Sequence, residues 1–219
     1  ASTELARLVL LDSAGLQEEE ARYQMRKAKR QNGKKARNIE PLYNTLDALN
    51  SFEYFGRHAS YEQAIQLASG ITATFIDAGH ILGSASILLE LEEDGKQHRV
   101  LFSGDLGYSG RAILRDPATP PEVDTVVMET TYGDRLHKQL DPSLDELYEV
   151  INETIGQGGN VIIPTFALER AQEILYYLRE GIYRHRIKHF TNVFLDSPMA
   201  ISATRIFERH PECYFQIIS

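Results

Sequence analysis

The chain has 219 residues, 42% of them hydrophobic and 25% charged, and a net charge of −8. These are globular values for one large domain or a domain and a half, and the acidic balance counts against extensive, sequence-independent binding to a nucleic-acid backbone. A single cysteine, Cys213, excludes a disulfide framework and a cysteine zinc knuckle, and fits a reducing, cytoplasmic setting.

Residues 3–30 read as helical, with only a four-residue apolar run, Leu8 to Leu11, too short for a signal peptide or a spanning helix. Gln17 to Arg30 is polar nearly all round, as in an exposed helix or a mobile segment. Seven basic residues crowd Arg26 to Arg37 (Arg26, Lys27, Lys29, Arg30, Lys34, Lys35, Arg37). Without interleaved aromatics, and with Asn32-Gly33 at the centre, a solvated loop explains them better than a phosphate-binding patch. Leu42 to Phe55 is expected to be a helix whose Leu46/Leu49/Phe52/Phe55 stripe joins a core.

The alternating run Ile71 to Ile76 reads as a strand with one buried face, and it delivers His80 into a glycine-flanked loop. A second strand, Ser86 to Leu91, turns at Asp94-Gly95 into a third, His98 to Phe102, which ends in Ser103-Gly104-Asp105. Asp124 to Met128 is expected to be a buried strand ending at Glu129. Asp141-Pro142 opens a helix striped at Leu144, Leu147, Tyr148, Ile151 and Ile155. Asn160 to Pro164 reads as a strand. Thr165 is expected to cap a helix striped at Ala167, Leu168, Ala171, Ile174, Leu175 and Leu178. Asn192 to Asp196 reads as another buried strand, and Ser197-Pro198 opens a further helix. Strand and helix in alternation predict a parallel α/β layer in this second half, against antiparallel hairpins in the first. The boundary is placed near Tyr132–Leu136.

Taken singly, His80 would more often be a packed histidine, Asp105 a turn residue and Glu129 a cap. Together they are three metal-type or acidic groups at three strand exits, and ligands at strand ends of one sheet can converge. Imidazole and carboxylate both suit zinc, but zinc takes three or four ligands and only two good ones are found. His58, His98, His137, His185, His189 and His210 lack such placement and read as surface or structural.

The stretches AGHILGSAS, FSGDLG, METTYGDRLH, IPTFALERAQEILY and FLDSPMA follow one another in that order. In this the chain resembles the β-CASP branch of the metallo-β-lactamase superfamily, nucleases related to the cleavage and polyadenylation specificity factor nuclease subunit and their prokaryotic relatives. The resemblance covers most of residues 70–210. It implies an α/β fold: part of a metallo-β-lactamase αββα sandwich over 1–133, then part of a parallel α/β β-CASP domain over 134–219. It implies a centre of two zinc ions, with His80 a ligand to one and Asp105 bridging both. Glu129 would help protonate the leaving group beside a histidine. Arg170 and Ser197 lie in family motifs facing the cleft and are candidate phosphate contacts, although a surface ion pair serves Arg170 equally well. A helix N-terminus at Ser197 would favour an anion.

The implied function is hydrolysis of RNA phosphodiester bonds, with RNA as substrate, no membrane, and a homodimer among the assemblies. The family's HxHxDH signature and its later histidines are absent from the sequence. The expectation is therefore a piece of a nuclease that binds zinc weakly or not at all by itself. A non-catalytic scaffold of an RNA-processing complex is the rival from another class, and retention of His80, Asp105 and Glu129 argues against it. A small-molecule metallo-hydrolase is the third reading. The long α/β segment after Asp105 argues against that one.

Overall fold

The computed structural model describes residues 1–32, 39–134, 140–188 and 191–211. Lys34, Lys35 and Arg37 of the basic stretch, His137, His189 and Cys213 lie outside the described residues. The chain divides into two compact units, Ala1–His58 and Ala59–Ser219.

The first unit is a long helix, α1 (Ser2–Asn32), with a short one, α2 (Thr45–Ser51), and a 3-10 turn at Phe52–Tyr54. Asn44 caps α2 by accepting from the N–H groups of Leu46 and Asp47, while the Asp47 carboxylate accepts from the Asn44 N–H. This reciprocal pairing satisfies donors that the first turn leaves orphaned. Glu18 of α1 accepts from the N–H and hydroxyl of Thr45, which holds its carboxyl below the usual range. The expected core stripe is not formed: Leu46 and Leu49 are exposed, and Ala48 is the buried residue of α2. The switch to 3-10 geometry turns the chain by about 120° per residue instead of 100°, so Phe52 and Phe55 leave the line of the two leucines. Arg7 covers both rings, at 5.4 and 5.7 Å.

The second unit is built on a five-stranded sheet in the order β1-β2-β3-β4-β5. Its strands are β1 (Ile65–Ala68), β2 (Ile71–Asp77), β3 (Ala85–Glu93), β4 (Lys96–Phe102) and β5 (Thr125–Val127). β1 had no counterpart in the sequence reading. β1 to β4 pair antiparallel, and β5 joins β4 in parallel. The β3–β4 turn falls at Asp94-Gly95, with φ of 51° and 70°. Two consecutive positive φ values match the right-handed twist of the strands they join. Ile76, Leu88 and Leu101 form the sheet's core, with Ala118 and Val123 of the following loop laid against them.

β5 is exposed along its length, contrary to the expected buried strand. It is a three-residue edge, and Val126 and Val127 are about half exposed, at 54% and 50%.

Three helices follow: α3 (Leu140–Gly156), α4 (Arg170–Tyr183) and α5 (Pro198–Arg209). The stripes of α3 and α4 pack against each other, with Tyr148, Ile151, Leu178 and Ile187 buried together. Leu144, Leu147, Ile155 and Ile174 pack around them. Ser197 caps α5 by accepting from the Ala200 N–H at 3.1 Å, with Pro198 in the first turn. Gln172 ties α4 to α5 through the Thr204 hydroxyl, at 3.0 Å.

Two expectations fail here. The runs 160–164 and 192–196 are not strands, so no parallel layer forms among the described residues. Ile162 and Phe194 are 89% and 85% exposed. An apolar run becomes a strand only by hydrogen bonding to a neighbouring strand, and among the described residues none pairs with these two. Thr165 does not cap α4 either. The N-cap is Glu169, held at a φ of 63° with no capping bond from its side chain. That left-handed value is strained in a residue other than glycine, and it delays the helix to Arg170.

Candidate active site

β2 ends at Asp77, whose carboxylate accepts from the Gly79 N–H at 2.9 Å and folds the chain back. Gly79 takes a φ of 59° there. The turn closes on Ser84, whose hydroxyl accepts from the N–H groups of His80 at 2.9 Å and Ile81 at 3.2 Å. Leu82 is buried beneath it. The His80 backbone is thus fixed while its imidazole stays 40% exposed.

The start of β3 and the exits of β4 and β5 are joined by two buried serines. The Ser86 hydroxyl donates to the Ser103 carbonyl at 2.8 Å, and the Ser103 hydroxyl accepts from the Glu129 N–H at 3.1 Å. The Ser103 N–H donates to the Val127 carbonyl at 2.9 Å. Next to them, the Gly107 N–H donates to the Ala78 carbonyl at 2.8 Å, so the loop carrying Asp105 lies directly on the turn carrying His80.

His80 Nε2 therefore lies 3.9 Å from Asp105 Oδ2. The Glu129 carboxylate accepts from the Leu106 N–H at 2.9 Å and from the Thr131 N–H at 3.4 Å. Those bonds hold the Glu129 carboxyl below its ordinary range, and the nearby His80 adds a smaller pull in the same direction. Glu129 is thus ionised at neutral pH. It can orient a donor or stabilise a cationic partner. It is a poor proton donor by itself.

Two ligands on one tetrahedral zinc, at about 2.0–2.1 Å each, sit about 3.3–3.4 Å apart. His80 and Asp105 are within a small closing movement of that spacing, and the donor types suit the metal. Among the described residues, no group of three or more His, Cys, Asp or Glu residues gathers at a metal site. The pair alone falls short of the three or four ligands that a zinc site takes.

Arg170 and Ser197 make no hydrogen bond or ion pair with these three groups among the described residues. Arg170 Nη1 pairs with Glu173 Oε2 at 2.9 Å, and its side chain stays 55% exposed. The Ser197 hydroxyl is spent on its cap.

The residues that sequence reasoning missed are Arg111, Glu169 and Glu173. Arg111 Nε donates to Glu173 Oε1 at 2.9 Å, and its Nη2 lies 3.5 Å from Glu169 Oε1. Its Nη1 donates to the carbonyl of His80. All three side chains are buried. Burial pushes Glu169 up to about 7, with the Arg111 charge opposing the rise and the Glu173 charge adding to it. The folded carboxyl therefore keeps a proton between its ordinary 4.5 and about 7 that the unfolded chain has released. Stability from this group is present below that window and is lost as pH rises through it. Between pH 5 and pH 8 we expect a loss on the order of 2 kcal/mol that Glu169→Gln abolishes. Parallel denaturant titrations of the two proteins at both pH values measure it. Equal slopes with pH would refute it.

Residues 171–218 match the Beta-Casp domain. The chain is 37% identical to "Ribonuclease TTHA0252" of Thermus thermophilus over 170 residues, 78% of this chain and 37% of that protein. It is 40% identical to "RNase J-like protein" of Methanocaldococcus jannaschii over 154 residues, 67% of this chain and 35% of the relative. It is 31% identical to "Endoribonuclease YSH1" of Candida glabrata over 173 residues, 77% of this chain and 22% of the relative. The chain thus spans about a third or less of the length of these curated relatives. No helix among the described residues is long and apolar enough to cross a membrane.

Proposed function

The chain belongs to the β-CASP family, and from that premise we propose that it supplies part of the active site of a zinc-dependent ribonuclease that hydrolyses RNA phosphodiester bonds. The observation that carries this reading is the meeting of His80, Asp105 and Glu129 at the exits of three strands of one sheet, with the first two 3.9 Å apart. The names of the relatives, ribonuclease and endoribonuclease, support an RNA substrate.

His80 and Asp105 would hold zinc. When bound, the metal would supply a hydroxide near neutral pH and neutralise charge on the phosphate. The chain's own residues do the rest. Ser84 and Asp77 set the turn that aims the imidazole. Ionised Glu129, anchored on Leu106 and Thr131, holds a fixed negative charge beside Asp105 that can steady a cationic proton donor near the leaving oxygen. Arg170, half exposed at the start of α4 and paired with Glu173, would contact a phosphate. In this reading residues 1–133 belong to the metallo-β-lactamase part and 134–219 to the β-CASP part.

The test is hydrolysis of a labelled RNA oligonucleotide by the full-length protein, stripped with a chelator and then resupplied with zinc. Loss on stripping and recovery on resupply is the expected result. Hydrolysis that survives stripping would sink the proposal.

A further inference from the structure

We propose that Arg111 is a positioning residue that sets the place of His80, locking the His80 turn to the first turn of α4. The inference rests on the reading of His80 and Asp105 as zinc ligands.

Arg111 lies on the loop that leaves Asp105 and is 9% exposed. One guanidinium meets three segments at once. Its Nη1 reaches the carbonyls of His80 and, at 3.5 Å, Gly79. Its Nε is held by Glu173 at 2.9 Å, and its Nη2 faces Glu169 at 3.5 Å. The Tyr108 ring covers it at 5.6 Å. The guanidinium is planar and its donors diverge at fixed angles. The hydrogen bond from Nε to Glu173, with Glu169 Oε1 near Nη2, sets the plane of the fork, and with it the direction of Nη1 and the His80 carbonyl. Ser84 already holds the His80 N–H from the other side. The imidazole therefore leaves a backbone pinned at both ends, and its aim toward Asp105 depends on α4.

A cation and two carboxylates this deeply buried are costly unless each is paired. Joining a loop to a helix needs no ion cluster, since apolar contacts would do. What a fork of directed donors adds is orientation. The cluster also reaches solvent. Glu173 shares its second oxygen with Arg170, so one carboxylate orients both the arginine behind His80 and the arginine proposed to meet phosphate.

The experiment uses the full-length protein and compares Arg111→Met, Arg111→Lys and His80→Ala with wild type. Zinc affinity is read by titrating the metal-free proteins, cobalt(II) absorption reports ligand geometry, and kcat and KM are measured separately. Groups that orient a metal ligand usually change affinity by about 10–100-fold. We expect Arg111→Met to weaken zinc by about that factor, to shift the cobalt spectrum, and to lower kcat with little change in KM. Arg111→Lys keeps the charge but not the fork, so it should recover folding yet not the spectrum. In a His80→Ala background, Arg111→Met should add no further loss of affinity.

Folded Arg111 variants that bind zinc and show cobalt spectra as wild type overturn the proposal, while a loss in His80→Ala leaves the metal site standing. Unchanged zinc affinity in His80→Ala itself would instead refute the underlying reading. If Arg111→Met does not fold, the lysine variant decides: a wild-type spectrum overturns the proposal and a shifted one supports it.

Discussion

Under the proposed function, replacing Asp105 by Asn, or His80 by Ala, is expected to lower RNA hydrolysis by the full-length protein about a thousandfold or more. Asp105→Asn keeps the shape of the side chain and removes its charge. The loss therefore reads the charge and not the fold. Asp105 is 78% exposed, so little packing is disturbed, and His80 projects from a turn held by its backbone and not by its ring. A metal ion contributes several kcal/mol of charge stabilisation to a phosphoryl transition state, and about 4 kcal/mol corresponds to about a thousandfold in rate. Initial rates on a short RNA, beside thermal melts of the same proteins, check it. A loss of less than tenfold in folded variants would contradict the assigned roles.

Gly107→Ala should destabilise the fold by about 3 kcal/mol and cut hydrolysis by about a hundredfold. A methyl group at Gly107 would run into the carbonyl oxygen of Gly79 and lie 2.8 Å from the His80 nitrogen. Both neighbours are backbone, so no side chain can swing aside. Relief requires the Asp105 loop to lift off the His80 turn, breaking the bond from the Gly107 N–H to Ala78 and separating Asp105 from His80. Gly110→Ala is the control. It has a φ of 84° but nothing within 4 Å of its added methyl, so it should cost only about 1 kcal/mol and leave the rate nearly unchanged. Denaturant unfolding and steady-state rates of both variants decide the matter, and similar effects at the two glycines would refute the close-approach argument.

The hairpin was legible because its period-two alternation and Asp94-Gly95 turn act over a few residues. His80, Asp105 and Glu129 could be named for a related reason: each closes a strand whose pattern is local. The strand pairing that brings them together could not be read from one sequence. Nor could the serine bonds of Ser86 and Ser103, which sit inside words such as GSAS and FSGD without any spacing signal. The runs 160–164 and 192–196 show the opposite error. Their composition fits a buried strand, but a strand also needs a partner, and composition says nothing of that. Arg111 escaped notice since a lone arginine in a loop reads as solvated. Its partners Glu169 and Glu173 lie about 60 residues away, and only the fold reveals that all three are buried. Glu169 also broke the helix expected from Thr165 onward by taking a backbone conformation no propensity scale would assign it.

Zinc content of the full-length protein, measured by elemental analysis after dialysis for wild type, His80→Ala and Asp105→Asn, tests the central claim most directly. Zinc bound by wild type and reduced in both variants is the result predicted here. Zinc retained in full by both folded variants would mean that the strand exits of this sheet do not hold the metal.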